Sequence, residues 1–431
     1  RSEYDRGGRL VRRVTPLGNE RRFRYDASGR VSSWTDEVGG VHRFERDWRG
    51  NPLTYRTPAG NLWRYEYDPR GLIARVVSPE GRETRYERDP EGRVVTAHYG
   101  SGMSRHIAYD ALGRVRTVTL GESVWRFEHD SSNRLLRQTD PDGVYRAYSY
   151  DQFGRLRTIS DSGFEMRRTE VSGLTERWEG PRSYSLSRDR RGLVTSYSDP
   201  DGVAFAYQYD HAGRLTAIET PEGPYLSVER NLVGQPVRIS HQDGSEETRR
   251  YDKDGRVTHL RHTSGPPKTF RYDQAGRLVG IRVGTGAWVS RAYDPEGNLR
   301  SESSHLGADG ADHRFSYDRD GLLVRGSSAS GVVEYERDAA GRIIRTSYPE
   351  ERVVIDRAYG EAGLLIDLEI PLLDVSIEHE WSGAGRLRSV ALNGRSVLGV
   401  EYDEAGREAV RITPGIGALL RSYDSLGRPS A

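Results

Sequence analysis

The side chains best suited to chemistry in this chain are its aspartates, and they recur at a fixed interval. Tyr272-Asp273-Gln274-Ala275-Gly276-Arg277 is one instance of a pattern, Tyr-Asp-x-x-Gly-Arg, that returns along the whole sequence. A carboxylate can serve as a general acid or base, or ligate a hard cation, but each use needs a second group at a defined spacing. An aspartate that recurs once per repeat at a turn position has a simpler use, accepting hydrogen bonds from the backbone two residues on. No Asp-x-Asp-x-Asp-Gly calcium loop occurs. His259-Leu260-Arg261-His262 places two imidazoles close together, without a Glu or Cys partner at zinc spacing. There is no His-Glu-x-x-His, Gly-x-Ser-x-Gly or phosphate-loop motif, and Lys occurs only at Lys253 and Lys268. Gly284-Thr285-Gly286 reads as two glycines in a loop. Cysteine is absent, which excludes thiol catalysis and a disulfide scaffold and leaves the compartment open. The expectation is a non-enzymatic stretch with no catalytic residues, no cofactor and no metal site.

Anchored on its Gly, the pattern recurs twenty-one times, mostly twenty-one residues apart, with Asn133 as the one replacement. A fixed period in this range signals a repeat architecture. Thr139-Asp140-Pro141-Asp142-Gly143 through Ile159 is a well-formed copy. Asp140-Pro141-Asp142-Gly143 makes a turn, Pro pre-setting φ and Gly closing it. Val144 to Tyr150 follows as a strand with Tyr148 and Tyr150 on one face. Asp151-Gln152-Phe153-Gly154 is a second turn, in the manner of a type I turn with a Gly bulge, and Arg155 to Ile159 returns. Each repeat is thus a β-hairpin, with no helical stretch to make parallel crossovers. Leu156 and Ile159 are three apart and cannot share one face of a regular strand, which requires a bulge or cover on both faces.

Hydrophobic residues make up 35%, mean hydropathy is −0.76, and charged residues make up 30% around a net charge of +1. With 25 Tyr and 7 Trp the chain lacks the profile of disorder. Near-zero net charge gives no footprint for nucleic acid, and there is no apolar span for a membrane helix and no signal peptide. About forty short strands at ~4.8 Å each make a ribbon on the order of 200 Å long, which cannot stay open and flat. A two-layer sandwich needs a continuous apolar inner face, and the sequence offers Tyr, Arg, His and Thr instead. The reading is all-β: a single-layer antiparallel sheet coiling around a wide interior, held by its ladder and by Tyr–Tyr and Tyr–Arg contacts.

The residue before the Asp is Tyr in thirteen copies and Arg at 46, 88, 188, 230 and 337. Either that position lines a stacked, partly wet surface, or it simply varies. Between 154 and 192 two repeats shorten and the pair becomes Thr169-Glu170; Gly297 to Gly321 gains residues, expected as a longer loop. Residues 1–431 read as one continuous array. From 352 to 399 the signature decays to Tyr359-Gly360 and Trp381-Ser382, while Leu364, Leu365, Ile366, Ile370, Leu372 and Leu373 cluster. That stretch is expected to be a seam where the coil packs on itself, or a cargo-contacting surface.

So many in-register copies of Tyr-Asp-x-x-Gly-Arg with Asp-Pro-x-Gly turns between them resemble the Rhs/YD-repeat proteins across essentially the whole chain. That family includes bacterial Rhs polymorphic toxins, the BC component of Tc toxins and teneurins. The resemblance implies about 21 tandem hairpins spiralling into a hollow cocoon, a barrel-like shell. It implies a C-terminal toxin domain as enclosed cargo, and, through an N-terminal PAAR domain and a chaperone, delivery on a type VI secretion spike. The family's self-cleavage motif, Pro-x-x-x-x-Asp-Pro-x-Gly-Leu, has no match: Asp68-Pro69-Arg70-Gly71-Leu72 carries only its second half and reads as an ordinary repeat. The chain opens and closes inside repeats, as expected of an internal part of a larger shell whose other parts are partners. The expected function is a secreted, toxin-encapsulating shell used in bacterial competition. The alternative is a cell-surface array gripping glycans or partner proteins with its aromatic rows, as in wall-associated or teneurin-like members.

Overall fold

The computed structural model of the chain describes residues 1–161, 165–172, 174–180, 183–199, 201–306, 309–423 and 428–430. Forty-one strands form one antiparallel sheet, and a last pair, Ser422–Tyr423 with Pro429–Ser430, stands beside it. The pairs run between sequence neighbours, as in Glu20–Tyr25 with Val31–Thr35 and Val31–Thr35 with Val41–Arg46. The helical content among the described residues is one 3-10 turn, Pro371–Leu373. No helix there is long and apolar enough to cross a membrane.

The sheet has almost no core. Among the described residues its buried apolar side chains are Ala97, Met166, Trp178 and Val400. The accessible surface is 26128 Å²; a compact monomer of this mass would expose about 16,600 Å². So large a surface leaves most side chains of the described residues at least partly exposed. One face carries the aromatics, with Phe23 opposite Trp34, Trp34 opposite His42 and Phe44 opposite Tyr55. The other carries charge: Arg12 bonds Glu3 (2.8 Å) and Glu20, and Arg75 bonds Glu66 and Glu83, each at 2.7 Å.

The corner at Tyr272-Asp273-x-x-Gly276-Arg277 shows why the motif recurs. Asp273 N–H donates to the Arg277 carbonyl (2.9 Å) and Gly276 N–H to the Asp273 carbonyl (3.0 Å). Gly276 sits at φ 82°, the left-handed region that a Cβ disfavours. Asp273 Oδ1 accepts the Arg277 N–H (2.9 Å), and Oδ2 accepts Arg277 Nε (2.7 Å). The Tyr272 hydroxyl donates to the Val257 carbonyl at 2.8 Å, the first residue of the preceding return strand. Arg256, from the preceding corner, lies over the Tyr272 ring at 4.9 Å, and Arg277 lies over Tyr293 at 4.8 Å. Each corner is therefore tied to the one before and the one after.

The Tyr–carbonyl bond settles the Tyr/Arg alternation. It recurs from Tyr25 to Leu10 (2.6 Å), Tyr150 to Leu135 (2.9 Å) and Tyr402 to Leu387 (2.8 Å). At three of the positions where Arg replaces Tyr the same carbonyl is reached: Arg46 donates to Val31 at 3.3 Å, and Arg88 to Ile73 and Arg337 to Leu323, both at 3.0 Å. Trp381 does it with its indole N–H, to Leu365 at 2.6 Å. At each of these positions the side chain is long and carries a donor at its tip. Surface variability does not describe them.

The return strands carry the bulge. Tyr150 pairs Leu156 and Ser149 pairs Thr158, so residue 157 is extra, and Leu156 and Ile159 reach the same face. The residues gained between Gly297 and Gly321 lengthen the hairpin itself, correcting the expectation of a longer loop. Leu299–Leu306 and Asp309–Tyr317 stay in register through Leu306 and Asp309. The insertion falls on both sides of the turn, so each added residue finds a cross-strand partner. In the shortened region Glu165–Ser172 pairs Thr175–Glu179; the Thr169 and Glu170 side chains, Gly173, Pro200, Gly307 and 424–427 lie outside the described residues.

Two predictions follow from the corner. Gly276→Val should lower the unfolding midpoint more than Asp273→Asn. Valine meets both the positive φ and Arg256 Nη1, 3.0 Å from its Cβ, whereas Asn keeps the amide acceptor; equal shifts would refute the bulge-turn assignment. The second concerns acid. The Arg114 side chain and N–H hold the Asp110 carboxyl down at about 2, and the Arg30 N–H holds Asp26 below its ordinary value. A carboxyl lowered on folding adds stability that is complete above its unfolded value, about 4, and is lost as pH falls through the folded one. Thermal melts should be flat from neutrality to about pH 5 and fall steeply between about pH 4 and 2. Melts unchanged down to about pH 2 would contradict it.

Candidate functional site

The chain divides into two compact units, Arg1–Gly102 with Arg230–Ile239 and Ser245–Ile355, and Met103–Glu229 with Ser240–Gly244 and Asp356–Ala431. Each joins an early and a late stretch of sequence. Within each, the turns between hairpins of the early stretch meet the Tyr-Asp corners of the late one, through partners 227 to 246 residues apart. These turn-to-turn contacts are the candidate site.

In the first unit, Ser78-Pro79-Glu80-Gly81-Arg82 faces Asp318-Arg319-Asp320-Gly321-Leu322. The Ser78 hydroxyl donates to Asp320 Oδ2 (2.6 Å) and the Glu80 N–H to Asp320 Oδ1 (3.0 Å). Arg82 bonds Asp320 and also Asp318 Oδ2 (2.7 Å), where Leu322 has replaced the usual Arg of the corner. Arg319 returns the contact, its N–H and Nε reaching Glu80 Oε1 at 3.0 and 2.8 Å. That guanidinium, with the N–H, holds the Glu80 carboxyl below the ordinary range. One hairpin pair earlier, the Thr57 hydroxyl (2.5 Å), Ala59 N–H (2.9 Å) and Asn61 Nδ2 (3.3 Å) all donate to Glu296 Oε1. The Leu17 N–H donates to Asp254 Oδ1 at 3.2 Å.

In the second unit the same device runs the other way. Now the corner is the donor: Ser382 Oγ reaches Asp142 Oδ2 (2.6 Å), Ala384 N–H reaches Asp142 Oδ1 (3.2 Å), and Arg386 bonds Asp142 and Asp140 (2.6 Å). Burial pushes the Asp142 carboxyl up, but Ser382, Arg386 and the Ala384 N–H outweigh it and hold it below its ordinary value. Arg428 bonds Asp201 at 3.0 Å.

A single rule covers four of these contacts. An Asp at the first turn position fills the N–H two residues on by itself, as Asp36 does for Val38 (3.0 Å). Thr15, Thr57, Ser78 and Ser382 cannot reach so far, and at each of them a carboxylate from the facing turn fills that N–H. Thr57, Ser78 and Ser382 are buried at 8%, 4% and 7% exposure, so their hydroxyls depend on those carboxylates. The sequence signal is an acid at the third position of the partner turn, Asp254, Glu296, Asp320 or Asp142, and reading one repeat at a time passes over it.

The groups that sequence alone set aside as chemistry stay apart. His259 and His262 are three apart on one strand and point to opposite faces; His259 Nδ1 meets Thr258 Oγ1 (3.1 Å) and His262 Nδ1 meets Ser264 Oγ (2.7 Å). Asp68 is an ordinary corner, its Oδ1 accepting from the N–H groups of Arg70 (3.0 Å) and Leu72 (2.9 Å). No group of three or more His, Asp or Glu among the described residues is placed to hold a metal ion. Between Gly360 and Ser382 the corners persist without Tyr-Asp: Gly360 N–H bonds the Leu364 carbonyl (2.9 Å) and Ser382 N–H that of Arg386 (2.8 Å).

The facing-turn rule is testable. Asp320→Ala strands three donors at a buried Ser and should cost about 1–3 kcal/mol in denaturant unfolding. Glu91→Ala, at the same turn position but with only Arg93 as an ion-pair partner at 3.2 Å, should change stability by less than about 0.5 kcal/mol. Equal costs would overturn the rule.

The teneurin YD-shell family model matches residues 2–165, and the RHS-repeat model matches residues 188–224, 251–287 and 317–353. No match is found among curated proteins. Among solved structures the chain is similar to the TcdB2-TccC3 complex, with TM-score 0.65 and 16% identity over 99% of this chain and 30% of that one. It is likewise similar to TcdB2-TccC3-Cdc42 (TM-score 0.65, 14% identity, 99% of this chain and 32% of that one). A Photorhabdus luminescens Tc holotoxin pore gives TM-score 0.66 at 14% identity over 99% of this chain and 33% of that one. The chain thus spans about a third of those structures, and at such identity the likeness is one of fold. With hairpin repeat, corner chemistry and both family models in agreement, the chain belongs to the Rhs/YD-repeat family.

Proposed function

We propose that this chain is wall material of an encapsulating toxin shell, enclosing a C-terminal toxin domain until delivery. The supporting observation is a sheet with almost no core whose inter-hairpin turns meet hairpin corners through dedicated bonds within each unit. A sheet that coheres through its ladder, its corners and its facing turns needs no side chains packed against its face. The space beside it is then free for another polypeptide. The role of this stretch is mechanical and not enzymatic: the carboxylates are consumed in turns and locks.

By family likeness the cargo is the protein's own toxin domain. The delivery route we favour is secretion as a type VI effector, with a PAAR domain and a chaperone as further partners. A surface array gripping glycans would need open aromatic faces. The aromatic row of the second unit stacks on itself instead, Trp178 on Tyr184 at 6.1 Å and Tyr197 beside Phe205 at 6.4 Å. Electron cryomicroscopy of the full-length gene product, with limited proteolysis in parallel, tests the reading. The expected result is a closed wall around density for a polypeptide that resists protease until the wall is denatured. A solid interior, or an empty wall with the toxin segment freely digested, would refute it.

A further inference from the structure

On the charged face several arginines are matched by carboxylates on neighbouring strands: Arg12 by Glu3 (2.8 Å), Arg75 by Glu66 and Glu83, Arg325 by Glu334 (3.0 Å). One stretch of the first unit gathers five arginines without such a match around a cleft. It runs over the strands Glu246–Tyr251, Val257–His262, Lys268–Tyr272, Leu278–Val283, Ala287–Tyr293, Leu299–Leu306 and Asp309–Tyr317. The register there aligns Arg250, His259, Thr269, Arg282, Trp288 and His305 in one row across six strands. The next row on the same face runs Arg271, Gly280, Ser290, Ser303, Asp312. Arg261 and Arg314 extend the face in the strand direction.

Arg250, Arg261, Arg271, Arg282 and Arg314 are all exposed, and none has a carboxylate partner among the described residues. Against them that face carries Asp312 and, at its margin, Glu246. A cleft of about 440 Å³ lies in the middle, lined by Thr269, Arg271, Gly280, Arg282, Trp288 and Ser290. Its side chains are donors, with no carboxylate in the lining. Gly280 makes the room: a Cβ there would lie 3.0 Å from Arg271 Nε, so the guanidinium rests against bare backbone. Trp288 stands opposite Arg282 as an aromatic wall, stacked on His305 at 6.2 Å.

We infer that this face, centred on Arg271, Arg282 and Trp288, binds an extended acidic polypeptide segment. The complement is read from the sheet itself, where Arg12, Arg75 and Arg325 are met by carboxylates of a neighbouring extended strand. Arg271 and Arg282 are diagonal neighbours through Gly280, about 7–8 Å apart at the backbone. Carboxylates two residues apart on an extended chain are about 7 Å apart, so one segment can meet both. Forked guanidinium–carboxylate bonds supply the affinity, and the Trp288 ring packs the segment's aliphatic stems. The inference does not depend on the shell reading.

Fluorescence anisotropy with the full chain and a labelled peptide bearing Glu at alternate positions tests it, with oligothymidylate of equal charge as comparator. The peptide should bind saturably at low salt and more tightly than the oligonucleotide. The double variant Arg271→Ser, Arg282→Ser should weaken it at least about tenfold, and Trp288→Ala by several-fold, while Arg325→Ser, taken from a matched pair, leaves it unchanged. Circular dichroism melts confirm folding; if the double variant fails them, Arg261→Ser, Arg314→Ser is the second test and should weaken binding several-fold. No saturable binding, variants that bind like the parent, or tighter binding of the oligonucleotide would each overturn the assignment.

Discussion

The bond from the tip of each corner's Tyr to a main-chain carbonyl of the preceding hairpin is the contact on which the rest of this sheet depends. Tyr272 to Val257, Tyr293 to Leu278 and Tyr251 to Pro236 show it at 2.7–2.8 Å. It joins repeats that the ladder alone would leave free to twist against one another, and it fixes where the next Arg can stack. A net gain of about 1 kcal/mol for one such bond is modest. Repeated along the ribbon, in a fold where four apolar side chains are buried, it is a main cohesive term. That the same carbonyl is met by Arg at 46, 88 and 337 and by Trp at 381 shows that the donor is what must be kept.

A sheet held mainly by polar contacts must also satisfy the amides of its turns. The facing turns do this with unequal partners, one turn giving a hydroxyl, an N–H and often a guanidinium, the other giving carboxylates. A turn with Asp in first position fills its own i+2 amide, whereas the turns opened by Thr15, Thr57, Ser78 and Ser382 take a third-position acid from the turn they face. The contacts are therefore selective as well as cohesive. The reversed use at Ser382 and Asp142, with the corner as donor, shows that the chemistry and not the edge sets the pairing.

The local part of this could be read from the sequence because its causes are local. Asp, Pro and Gly at fixed offsets specify turns whatever the surroundings, and Tyr at period two specifies a face. The Tyr/Arg alternation was visible but ambiguous, since its cause is a carbonyl fifteen residues back on another strand. The lock residues were invisible for a stronger reason. Asp320 meets Ser78 across more than two hundred residues, and nothing in the twenty-one-residue period states how many repeats separate two facing turns. The extra residues before Gly321 misled because an insertion usually loops out; this one is balanced across the hairpin and pairs with itself.

If polar links rather than apolar burial hold the sheet, calorimetry should show it directly. The heat-capacity change of unfolding reports apolar surface exposed, and globular domains give about 12–15 cal/mol/K per residue. This chain should fall clearly below that range while still unfolding cooperatively. A value within or above it would mean that a core of ordinary size carries the stability, and would contradict the account.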